Sequence, residues 1–427
     1  MRNLTQALTL TSMATAVRSA FKIASVNPVL WWDAESHRAG LAGGAATLYQ
    51  DSGGTSAVGA VEQPVGRAVD RSGNARPALQ TTSTARPILT ARKNFLTYSE
   101  QFENAAWSKS GCVATGGVVS ETAGNGQHRI LQIIAVTSGN VYSISCEVER
   151  ISGSRHFMLD IVSGTNGYCY FDLDNGTHLL AGAGMSNVSV VSDVAGKYKI
   201  SANFTASAAS MVLYVAMCSS KVLGGETYTA DGSGVLSVAR FQIEPGLTAT
   251  SYQRVTTATD YDTTAAPLML QFDGADDELG TAPFAAGTMP ANADVYLLMR
   301  RAANDGQAVL IYQPGGASRY AGVLGGSGSA SNAGAPTYAV NGVAVPGGST
   351  PSNSVFAAAV GHEVTRIVEV RNANLSTWTR LGVGLYGYGY NIMGQFGAIL
   401  ITPAQSDATR AKIRKALAKA YQITGVV

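Results

Sequence analysis

Charge is scarce in this chain. Asp, Glu, Lys and Arg make up 14% of its 427 residues, against a usual share of about 25%. The 30 basic and 28 acidic side chains nearly cancel, leaving a formal charge of +2. No run of Lys and Arg breaks that balance, which excludes a polyanion-binding protein by bulk charge, so no nucleic-acid partner is expected. Proline stops at 13 residues, too few for a collagen-like repeat or a Pro-rich linker. Long apolar runs are missing as well. No uninterrupted stretch of about 18 residues exists to cross a bilayer, and no membrane insertion is expected. Residues 1–26 are interrupted by Thr5, Gln6, Thr9, Arg18 and Lys22, and lack the continuous apolar stretch of a cleaved leader. The cysteines number four, Cys112, Cys146, Cys169 and Cys218, with no CxxC pair to suggest a zinc ribbon. They are expected to be small buried apolar side chains on strands, because a chain this long needs no disulfide staples.

Catalytic signatures are also lacking. There is no nucleophile elbow, no phosphate-binding loop and no HExxH zinc motif. His37, His128, His156, His178 and His362 are scattered without ligand spacing. No catalytic residue, cofactor or metal is therefore expected, and the chain reads as a non-enzyme. The densest acidic run, Asp273-Gly274-Ala275-Asp276-Asp277-Glu278, has the residue types of a glycosidase carboxylate pair or a calcium site. A polar turn after a strand is the simpler reading, since no second acidic cluster is in view. Asp172-Leu173-Asp174-Asn175-Gly176 superficially resembles a calcium loop, but it lacks the later bidentate Glu and suits a hairpin turn.

What the chain does have is glycine, at 48 residues, and an apolar fraction of 46%. That fraction is ample for a core and excludes global disorder. With so little charge, solubility falls to Ser, Thr, Asn and Gly. Residues 127–134, 141–148, 156–161, 168–173, 197–204 and 210–217 read as short strands with no helix between them, the pattern of a β-sandwich or jelly roll. Residues 256–402 repeat the all-β pattern, with strands at 295–299, 308–312, 320–324 and 367–370. Tyr338 to Val345 is the clearest hairpin, because Asn341-Gly342 suits a type I′ turn. Gly325 to Pro336 reads as a Gly/Ser/Ala loop. Residues 27–95 hold short pieces, among them Val29 to Trp32 and Arg86 to Leu89. These are too thin for a core of their own, so they are expected to complete another domain.

Two helical signals stand at the ends. Residues 403–421 read as a helix, with Thr402-Pro403-Ala404-Gln405 as a capping box and Ile413, Ala416, Leu417, Ala420 and Tyr421 as the apolar stripe. Its basic residues, Arg410, Lys412, Arg414, Lys415 and Lys419, are expected to form a solvated face. At the other end, Leu4, Leu8, Val17 and Phe21 share a weak helical stripe. Residues 1–26 read as an arm that docks on a neighbour, with these four side chains as its assembly contacts.

The best binding candidate is aromatic. Strand alternation in Leu385-Tyr386-Gly387-Tyr388-Gly389-Tyr390 puts Tyr386, Tyr388 and Tyr390 on one face, with Trp378 shortly upstream. Flat rings with a phenolic donor suit the apolar faces and hydroxyl edges of sugars. Cross-strand packing or a subunit contact uses the same residues.

Several runs in order carry a family resemblance. Trp32-Asp33, Leu48 to Thr55, Gln63 to Arg67, Asp70 to Ala75, Arg86 to Leu89 and Asn94 to Trp107 resemble the opening of phage and prophage tail-type proteins. Phe241 to Tyr252 is similar to the segment that closes a carbohydrate-binding-module-like jelly roll in that family. Leu270 to Asp277 is similar to the entry into a concanavalin-A-like, laminin-G-like sandwich. The resemblance spans about residues 29 to 280. It implies an all-β chain of two sandwiches. Residues 27–95 would begin the lectin-like sandwich, residues 96–255 would form the inserted jelly roll, and residues 256–427 would finish the sandwich and end in the helix. It further implies a structural protein of the virion, in the tail or an attached fibre. Such a protein is made in the bacterial cytoplasm, assembles as a homotrimer with other virion proteins, and contacts host-surface glycans. Head-attached fibre or decoration protein, glycan-binding module and polysaccharide depolymerase are the alternative roles. The Glu-x-Asp-x-x-Glu strand of related glycoside hydrolases is absent.

Overall fold

Period-two alternation builds the sheets. In the Val141–Ser152 strand, Tyr142, Ile144, Cys146 and Val148 are buried, whereas Val141, Ser145 and Glu147 between them are half-exposed. A pleated strand sends successive side chains to opposite faces, so one face enters the core and the other meets water. The computed structural model describes residues 21–194, 196–222, 224–264, 266–302, 308–314, 320–324, 333–347, 353–361, 364–384 and 392–427. Over these the protein is all-β, with four antiparallel sheets of eight, seven, six and seven strands and few helices.

The sheets pair into two sandwiches, each with its own apolar core. In the first, the eight-stranded sheet joins Leu30–Asp33 and Ile88–Thr90 to Met269–Asp273, Ala293–Arg301, Arg366–Ala373 and Met393–Pro403. The facing sheet joins Leu48–Tyr49, Arg67–Ala68 and Ala78–Leu79 to Leu279–Gly280 and Gly382–Val383. Early and late strands are thus hydrogen-bonded neighbours. Residues between them form the second sandwich. The chain leaves the first at Ile88–Thr90 and returns at Met269–Asp273, and those two strands pair side by side, Leu89 opposite Leu270. An insertion whose ends are adjacent leaves the host sheet unbroken.

The junction is a hydrogen-bonded knot. Gln253, fully buried, accepts at Oε1 from Lys93 N and Asn94 N, and donates from Nε2 to Ala91 O and Asp262 O, all within 3.0 Å. Asn94, also fully buried, donates to Phe241 O and Gln253 O and accepts from Ile243 N. Buried backbone groups need partners, and these two amides supply them where no ladder can.

The C-terminal helix, Asp407–Ala420, covers the outer face of the eight-stranded sheet, packing Ile413, Leu417 and Tyr421 on Tyr296, Leu298 and Leu400. That cover explains why Ala293–Arg301 is buried on both faces. The helix begins later than the capping-box reading placed it. Met393–Pro403 is strand, with Thr402 opposite Asp294, and the N-cap is Ser406, whose Oγ accepts from Thr409 N. Pairing with a central strand outweighs a local cap. Nor is the basic face wholly solvated. Arg410 pairs with Asp294 at 2.8 Å and Arg414 with Glu369 at 3.1 Å, both carboxylates buried in the sheet. Lys412, Lys415 and Lys419 are exposed.

At the Asn341-Gly342 turn both residues have positive φ, 51° and 92°, as a type I′ hairpin requires. A Cβ on Gly342 would also lie 2.5 Å from Val427 O, so close approach reinforces the need for glycine. Cys112, Cys146, Cys169 and Cys218 are buried free thiols, and burial pushes the Cys169 thiol up to about 12. Leu4, Leu8, Val17 and the Gly325 to Pro336 loop up to residue 332 lie outside the described residues. Phe21 packs half-buried against the cluster under the C-terminal helix.

Candidate functional site

Trp378 does not form part of an exposed aromatic face. It is 1% exposed and sits in the core of the first sandwich with Leu375 and Leu381. A large ring gains more from burial there than from a place at the surface. Tyr386, Tyr388 and Tyr390 lie outside the described residues.

The acidic runs form turns. Asp273, Asp276 and Asp277 approach within ligand distance of one another. However, Asp277 Oδ2 accepts from Asp273 N at 2.9 Å and Asp273 Oδ1 from Ala275 N at 2.8 Å, the bonds of a polar turn. Burial pushes the Asp277 carboxyl up to about 6. His156, Asp172 and Asp174 also converge. Here the counter-charges come from the protein, since Lys221 bonds Asp172 and Arg150 bonds Asp174.

The outward face of the seven-stranded sheet in the inserted sandwich is different, and it escaped the sequence reading. In His156–Ser163, Phe157, Leu159 and Ile161 enter the core, which turns Met158, Asp160 and Val162 outward. Thr165–Asp172 buries Cys169 and Phe171 in that core and turns Tyr168 and Tyr170 outward. Ser210–Cys218 buries Leu213, Val215 and Met217 and turns Tyr214 outward. Gly124–Ala135 turns Arg129, Leu131 and Ile133 outward, opposite in phase to Ile130 and Ile134.

Register then sets the rows. Asp160 stands directly opposite both Tyr168 and Tyr214, and Tyr214 stands opposite Leu131. In the next row, Met158 stands opposite Tyr170 and Ala216, and Ala216 opposite Arg129. A carboxylate thus lies between two tyrosines, with a guanidinium one row away. Arg129 lays its guanidinium over the Tyr214 ring, 4.2 Å from the centroid. Its Nε is buried and has no hydrogen-bond acceptor. The rings of Tyr168 and Tyr170 meet edge to face at 6.4 Å. The Tyr170 hydroxyl donates to Glu226 at 3.0 Å and accepts from Gly224 N at 3.3 Å, which ties one rim of the face to the following loop.

Burial pushes the Asp160 carboxyl up to about 6. Arg129 opposes the shift and Glu226 adds to it. Tyr168, Tyr214, Asp160 and Arg129 are all partly exposed. The face therefore offers flat apolar rings, a carboxylate acceptor and a guanidinium donor, side by side and open to solvent. A sequence signal did exist: Asp160 interrupts an apolar strand in an outward slot, and Tyr168-x-Tyr170 repeats at period two.

The fold and this face define a two-sandwich β protein with an aromatic, charged sheet surface. No family model matches the chain, and no curated protein matches it. Among solved structures, one chain described as "CBM4 structure and function" is similar over 38% of this chain and 88% of its own, at 11% identity and a TM-score of 0.19.

Proposed function

We propose that this protein is a non-enzymatic glycan-binding component of a phage particle, carried on the tail or an attached fibre. The observation that carries the binding part is the Tyr168, Asp160, Tyr214 row with Arg129 stacked on Tyr214. Tyrosine rings offer an apolar surface to the face of a sugar, and the neighbouring charged groups bond its hydroxyls. Strands, rather than loops, hold these groups, so the platform is preorganised and little ordering opposes binding. The particle part is supported by the ordered runs from Trp32 to Asp277 that resemble tail-type proteins. A non-enzymatic role fits the use of the acidic runs as turns and ion pairs.

The test is a glycan panel from host surfaces, read by calorimetry on the intact chain, with Tyr168→Ala and Tyr214→Ala. Each substitution should lower affinity about tenfold while the melting temperature holds, in line with about 1.4 kcal/mol per decade. Equal affinity in both folded variants would dismiss this face. Mass spectrometry of purified particles tests the second part, and absence of the chain from them would dismiss it.

A further inference from the structure

The two sandwiches do not meet flush. Beside the junction lies a cleft of about 610 Å3, within the range of about 300–1,000 Å3 common for small-ligand sites. Residues of both sandwiches line it, including Asn140 and Glu244 on one wall, Arg300 and Arg366 on the other, and Lys93 from the connection.

Three observations set this cleft apart. First, its lining is cationic in a chain with little charge. Arg92, Lys93, Arg300 and Arg366 stand against Glu244, the single acidic side chain among its described lining residues. Secondly, the hydrogen bonds of Glu244 go to neutral donors, and among these cations its charge acts on Lys93. Its carboxylate accepts from Gln242 Nε2, Thr250 N and Thr250 Oγ1, at 2.5–2.7 Å. Thirdly, each wall keeps a buried donor with no acceptor, Asn140 Nδ2 on one and Arg366 Nε on the other. A buried donor without a partner is costly, and such atoms are rare enough to need an explanation. Lys93 Nζ spends one donor on Thr250 Oγ1 and, as an ammonium, has two more.

We propose that this cleft binds an anionic oxygen acid, the carboxylate or sulfate group of an acidic glycan. Such a group supplies acceptors to Arg366 and Asn140 and adds negative charge beside Lys93. Guanidinium bonds to such groups are charge-assisted and among the stronger hydrogen bonds. Because the donors come from both sandwiches, the bound group also links the two walls. The cleft is separate from the tyrosine face, so either reading stands without the other.

The test uses the full chain and calorimetry with four probes: an oligogalacturonate, a heparin-derived tetrasaccharide, a neutral maltotetraose and inorganic phosphate. The uronate or the sulfated probe should bind, more weakly as sodium chloride is raised. Arg366→Gln and Asn140→Ala should each reduce that affinity about tenfold, with Arg366→Lys restoring part of it, while Lys415→Gln, exposed on the C-terminal helix away from the cleft, leaves it unchanged. Circular dichroism confirms that each variant is folded, and Lys93→Gln provides an independent reading if Arg366→Gln does not fold. The proposal is overturned if both acidic probes fail to bind. It is equally overturned if maltotetraose binds as well as they do, if affinity survives the folded variants, or if phosphate displaces the glycans at equal concentration.

Discussion

Arg129 lies over Tyr214, its guanidinium carbon 4.2 Å from the ring centroid, on the open face of the inserted sandwich. The contact holds the ring in place and keeps a cation beside Asp160. Arg129→Ala should therefore weaken glycan binding more than Arg129→Lys does, because an ammonium retains the charge and loses the flat stacking surface. Calorimetry on the two variants measures the order, and the reverse order would count against a positioning role for the guanidinium.

Asp160 makes stability depend on pH. Its carboxyl is held up at about 6 by burial, against about 3.9 in an unfolded chain. A folded state that binds its proton more tightly is favoured at low pH. This contribution is complete below about pH 4 and is lost as pH rises through about 6. Asp160→Asn should accordingly melt higher than the parent at pH 8, by about 2 °C or more, and should show no advantage at pH 4. Thermal melts at the two pH values decide this.

Trp107 anchors the core of the inserted sandwich. It is 1% exposed, meets Phe102 edge to face at 4.9 Å, stacks on Phe241 at 6.1 Å and donates from Nε1 to Tyr98 O at 2.9 Å. Trp107→Ala should cost about 3–5 kcal/mol, as large-to-small core substitutions do. Denaturant unfolding followed at that sandwich's transition gives the value.

Gln253 bonds four backbone groups on two segments of the junction, residues 91–94 and Asp262. Gln253→Ala leaves two donors and two acceptors without partners, each worth about 1–3 kcal/mol when buried. Water entering the cavity recovers part of this, so a loss of about 3 kcal/mol is expected. Hydrogen exchange should rise first at residues 91–94. Unchanged protection there would show that the knot does not hold the junction.

Ser406 tests the corrected helix start. Ser406→Ala removes the acceptor for Thr409 N and should cost about 1 kcal/mol, whereas Thr402→Ala should not act as a cap loss at all. Denaturation curves of the two variants separate the readings.

Elements made from near neighbours were legible in advance. The strands at 141–148, 156–161, 197–204 and 210–217 all lie inside observed strands, because alternation and β-branched residues act within the segment. Asn341-Gly342 announced its turn for the same reason. The helix start did not, since Thr402 and Pro403 obey a strand partner, Ala293–Arg301, that is remote in sequence. Trp378 looked like a surface ring because its burial depends on Leu375 and Leu381 packing with a core built from both ends of the chain.

The amino-acid sequence by itself determined the all-β class, the terminal helix and the hairpin at Asn341, since period, propensity and turn chemistry are local. Tertiary structure alone decided which side chains stand together. Asp160, Tyr168 and Tyr214 share a row only because antiparallel register places three strands side by side. Arg366 and Asn140 face one cleft only because the sandwiches are joined at a fixed junction. Register and junction are set by many weak contacts between distant segments, and no short stretch of sequence contains them.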